Sequence, residues 1–131
     1  MTRLPVVAVV NTNPDLVELL KAEIEAAGFV VLIIHLADIR MGLDVGSVLA
    51  QHDPVVIVYD IVWPYDRNWR FLQHLRETMF DGRRFVLTTP NAEGVRKLAG
   101  RDDRIYEIVA GHDIAAVVQA VREAARARET T

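Results

Sequence analysis

The sequence contains no cysteine. A disulfide framework and thiolate chemistry are both excluded. Long apolar runs are also missing. The opening one, residues 6–10, is too short for a signal-peptide core and far too short to span a bilayer. Positive charge is not in excess: 15 Lys and Arg stand against 18 Asp and Glu, a formal net charge of -3. With no basic stripe either, a general nucleic-acid binder is not expected. There is no Gly-rich phosphate loop, dinucleotide fingerprint or Ser-His-Asp arrangement. The four histidines, His35, His52, His74 and His112, lack the paired spacing of a metal site. Low-complexity tracts, internal repeats and linkers are absent. What remains is ordinary globular composition over 131 residues, 51% apolar and 25% charged, which suits one domain with a full core. The expectation is a single domain over 1–131, cytoplasmic and without membrane contact.

The apolar pattern alternates between two types of segment. Residues 6–10 form a continuous apolar run, as in a strand covered on both faces. Asn13-Pro14-Asp15 then starts a helix, with Asn as cap, Pro in the first turn and an acid beside it. Leu16, Leu19, Leu20, Ile24 and Ala27 share one face of that helix, and Gly28 stops it. Residues 29–34 read as a second strand. Val45, Val48 and Leu49 suggest a short helix ending near His52. The third strand is 55–60. Trp69, Leu72, Leu75 and Met79 share a helical face, and Asp81-Gly82 turns the chain into a fourth strand at 85–88. A short helix at 91–99 closes at Gly100, and the fifth strand is 105–109. Asp113 caps a last helix with Ile114, Val117, Val118, Val121 and Ala125 on its apolar face. Five strands alternating with helices predict an α/β fold: a doubly wound parallel sheet with right-handed crossovers. In such sheets ligands bind beyond the carboxyl ends of the strands. Asn11, Thr12, Asp60 and Thr88 all fall there.

Asp60 is the sharpest feature, a carboxylate closing a buried strand, where it is costly unless solvated or used. Pro64 follows it by four residues and Asn68 by eight. Together with "VVNTNPDLVELLKAEIEAAGF" (9–29) and "FVLTTPN" (85–91), this ordered set resembles the receiver domain of bacterial response regulators over nearly the whole chain. The resemblance implies a flavodoxin-like sheet of order 2-1-3-4-5. It implies Asp60 as phosphoacceptor and Thr88 as the hydroxyl that holds the phosphoryl group. Asn11, Thr12 and Val62 would line the pocket, with the Val62 carbonyl and Asp60 as Mg²⁺ ligands. Asn68 would replace a glycine in left-handed backbone, and Tyr106 would correspond to the switch aromatic.

The departures concern charge. The family's pair of acids after the first strand falls on Asn11 and Thr12, both neutral. Its lysine after the fifth strand falls near Ala110-Gly111, where no lysine lies. The expectation is therefore a non-enzymatic, stand-alone signalling domain with no output domain after its last helix. It would have no cofactor beyond a weak Mg²⁺ site, and would act by protein contact. A homodimer or docked partner would use the face of the fourth and fifth main helices and the fifth strand. Two alternatives stay open: a phosphoacceptor served by a histidine kinase through Asp60, and a small-molecule binder at the strand ends.

Overall fold

The computed structural model describes residues 4–11, 13–78, 84–102 and 105–129. Five strands form one parallel sheet in the order β2-β1-β3-β4-β5. They are β1 (Val6–Asn11), β2 (Val30–His35), β3 (Val56–Asp60), β4 (Phe85–Thr89) and β5 (Ile105–Ala110). The helices are α1 (Pro14–Ala26), α2 (Leu36–Arg40), α3 (Val45–His52), α4 (Tyr65–Thr78), α5 (Ala92–Ala99) and α6 (Ile114–Glu129). The alternation of apolar runs with helices predicts the doubly wound parallel sheet, and the resemblance implies this strand order. Thr12, Met79, the Asp81-Gly82 turn and the Tyr106 side chain lie outside the described residues.

The central strands β1, β3 and β4 are apolar up to their carboxyl ends because both faces of the sheet are covered there. Alternation sorts their side chains into two cores. Ala8, Val10, Ile57, Tyr59, Phe85 and Leu87 pack on one side, with Leu49 of α3, Leu72 and Leu75 of α4 and Val95 of α5. Val7, Val9, Val56, Val58 and Val86 pack on the other, with Leu20 and Ile24 of α1 and Val117 and Val121 of α6.

The ends of α1 follow local chemistry. The Asn13 side chain accepts from the amides of Asp15 and Leu16, at 3.1 and 3.3 Å. Pro14 needs no amide in the first turn. After the helix Gly28 takes φ +100°, backbone that suits glycine, and the chain turns into β2. Asp53 closes α3 at φ 45°, and Asn91 caps α5 through the Gly94 amide at 3.1 Å. Asp113 caps α6 through the Ala116 amide at 3.1 Å. No helix among the described residues is long and apolar enough to cross a membrane.

Candidate functional site

The register of the sheet assembles the site. Asp60 and Thr88 are paired across β3 and β4. One residue past the Val10–Tyr59 pair, β1 and β3 end in Asn11 and Asp60. By strand alternation these three continue the rows of Val7 and Val9, Val56 and Val58, and Val86. Those rows face α1 and α6. The expected residues thus meet at the carboxyl edge of the sheet, above the α1/α6 side.

Their hydrogen bonds define what the site can do. The Thr88 hydroxyl, fully buried, donates to Asp60 Oδ1 at 2.7 Å. Burial raises the Asp60 pKa above its ordinary value, and the Thr88 hydrogen bond draws it partly back. No cation among the described residues contributes to that shift. Asn11 is only 3% exposed. Its Oδ1 accepts from the Asn13 amide at 2.8 Å, so one lone pair of its oxygen holds the turn into α1. The Val62 carbonyl accepts from Asn68 Nδ2 at 2.7 Å.

Asn68 is not where the sequence reading put it. It lies in the first turn of α4, outside left-handed backbone. Helical side chains lean back toward the helix N-terminus. That places the Asn68 carboxamide against the preceding loop. Pro64 immediately before α4 was the available signal: it starts the helix too early for residue 68 to be a turn residue.

Gly111 occupies the third side. A Cβ there would lie 3.8 Å from Asp60 Oδ1 and 3.6 Å from Thr88 Cβ. Residue 111 therefore faces the carboxylate and brings no side chain to it. The sequence has two lysines. Lys21 pairs with Glu25 at 2.6 Å on α1. Lys97 is exposed on α5, 3.9 Å from Glu93.

Mg²⁺ takes octahedral oxygen ligands and is usually anchored by one or two carboxylates together with phosphate and water. The donors here do not fit it well. Asp60 is the one carboxylate at the three strand ends, and the Asn11 and Val62 oxygens already accept N–H donors. Among the described residues, no three His, Asp or Glu side chains gather to hold a metal ion. Asp15 sits exposed in the first turn of α1. Asp66 bonds the Arg67 amide at 2.9 Å and approaches Arg70 at 3.6 Å. Neither acts as a substitute ligand in this arrangement.

The aromatic stretch after Asp60 divides in two. Tyr65, Trp69 and Phe71 pack against the core under α4. Trp63 is 76% exposed, in the loop between Asp60 and α4.

A doubly wound sheet of order 2-1-3-4-5, with an aspartate and a hydroxyl residue paired at its carboxyl edge, defines a flavodoxin-like α/β protein. Solved structures narrow this to the fold of response-regulator receiver domains. The signal receiver domain of an HD domain-containing protein from Pseudomonas fluorescens Pf-5 superposes with a TM-score of 0.71 at 14% identity, over 99% of this chain and 93% of that one. A CheY-like response regulator receiver domain from Methylobacillus flagellatus gives 0.61 at 16% identity, over 93% and 99%. The structure of the histidine kinase ThkA in complex with the response regulator protein TrrA gives 0.64 at 16% identity, over 92% and 98%. No family model and no curated protein matches the sequence.

Proposed function

We propose that this chain is a receiver-fold signalling module that works by contact with another protein, outside ordinary Mg²⁺-dependent phosphorylation of Asp60. One observation carries the reading. Asp60 has the Thr88 hydroxyl beside it, but the oxygens that would complete a metal site are engaged by Asn13 and Asn68. Phosphoryl transfer to a carboxylate needs its accumulating negative charge neutralised. Here Asn11 and Gly111 leave Asp60 without the second acid or the ammonium for that. The output surface we assign is the face of α5, β5 and α6, used toward a second copy or another signalling protein.

A second reading keeps Asp60 as phosphoacceptor for a histidine kinase. The 2.7 Å Thr88–Asp60 contact favours it, because the same hydroxyl would reach an attached phosphoryl oxygen. So does the histidine kinase–response regulator complex among the structures that share this fold.

Intact mass after incubation with Mg²⁺ and a small-molecule phosphodonor separates the two. The first reading expects an unmodified chain. A near-stoichiometric phosphate adduct, lost in Asp60→Asn, would establish the second.

A further inference from the structure

We propose that Asn68 is a built-in donor that sets the β3–α4 loop through the Val62 carbonyl and makes that carbonyl a poorer ligand for a divalent ion. This deepens the function proposed above and rests on it.

The geometry is specific to one residue. Asn68 Nδ2 donates to the Val62 carbonyl at 2.7 Å, and the Asn68 amide donates to the Pro64 carbonyl at 3.0 Å. The second is the ordinary first-turn bond of α4; the bond to the Val62 carbonyl is the one that depends on the Asn side chain. The side-chain bond is partly buried, which strengthens it relative to an exposed one.

Helix propensity does not explain Asn at this position, since Asn is a weaker helix former than Ala or Leu. Its carboxamide does: it supplies N–H to a carbonyl two residues beyond Asp60. A cation at that carbonyl shares the oxygen with the positive end of an N–H dipole and is disfavoured by it. Trp63, 76% exposed, is then held in one setting whatever the state of Asp60. The surface around that indole is constitutive rather than switched.

The test compares Mg²⁺ affinity of Asn11→Asp with that of Asn11→Asp/Asn68→Ala, read from Trp fluorescence and amide shifts. The first substitution restores an acid; the second frees the carbonyl. Removing a competing hydrogen bond should tighten Mg²⁺ binding about threefold to tenfold. Asn68→Ala alone should speed exchange of the Val62 and Trp63 amides. Asn68→Ser serves as a second variant should the alanine disturb the helix. Equal affinity with and without the Asn68 substitution, undetectable binding in both included, overturns the proposal. Phosphorylation of the wild-type chain would instead sink the function proposed above, and leaves this comparison standing.

Discussion

Asp60 carries a tension that a single substitution can expose. Its carboxyl is buried beside one hydroxyl donor and, among the described residues, no counter-ion, and its pKa is raised by that burial. A raised carboxyl pKa means the folded state binds the proton more tightly than the unfolded chain. Its contribution is therefore most favourable below the unfolded carboxyl value of about 3.9. The contribution falls as pH rises through the folded value, and stays unfavourable above it. Asn at this position keeps an oxygen for the Thr88 hydroxyl and removes the charge. Asp60→Asn should raise the melting temperature at pH 7, and the gain should shrink as pH falls toward 4. A lower melting temperature at pH 7 would mean that the carboxylate is paired with a cation after all. Asp60 and Thr88 are legible as a pair because each closes an apolar run. Asn68 is legible only as a position in a motif. Its bond to Val62 depends on where α4 begins, and residue spacing alone does not fix that.

The elements differ in how plainly the sequence marks them. Each strand is a compact apolar run, since both faces are covered, and the ends move by only a residue. The second strand begins at Val30 rather than at residue 29 and extends to His35. The helix α2 escapes the pattern because Leu36–Arg40 is five residues long, too short to display a helical period. Arg76 escapes for a different reason. On α4 it reads as one more polar residue, yet it is 1% exposed and lies over the Phe85 ring. Its guanidinium grips Asp102 twice, at 2.7 and 2.8 Å. The partner is 26 residues away in sequence, so no local rule reveals the pair. It ties α4 to the entrance of β5. Arg76→Leu should lower unfolding free energy by about 3 kcal/mol, the low end for breaking a buried pair, because Asp102 keeps some solvent. Urea denaturation measures it. A loss under about 1 kcal/mol would show that the contact behaves as a surface bridge.

At the scale of the whole molecule, a widely shared sheet carries Asp60 and Thr88 side by side at its carboxyl edge. The parallel sheet and the location of the strand ends follow from apolar periodicity and the constraints on parallel connections, while the strand order comes with the resemblance. The chemistry at that edge follows from individual residues, which is why fold similarity at 14 to 16% identity leaves it open. Neutral Asn11, side-chain-free Gly111 and the Asn68–Val62 bond all point the same way. On the function proposed above, they leave Asp60 a buried carboxylate with a hydroxyl neighbour. On that proposed function, this edge does not take up Mg²⁺ at ordinary concentrations. The most direct measurement is a Mg²⁺ titration of the wild-type chain, followed through the backbone amide shifts of Asp60, Ile61 and Val62. The account predicts no saturable change up to millimolar Mg²⁺. Saturation at submillimolar Mg²⁺, abolished by Asp60→Asn, would contradict it.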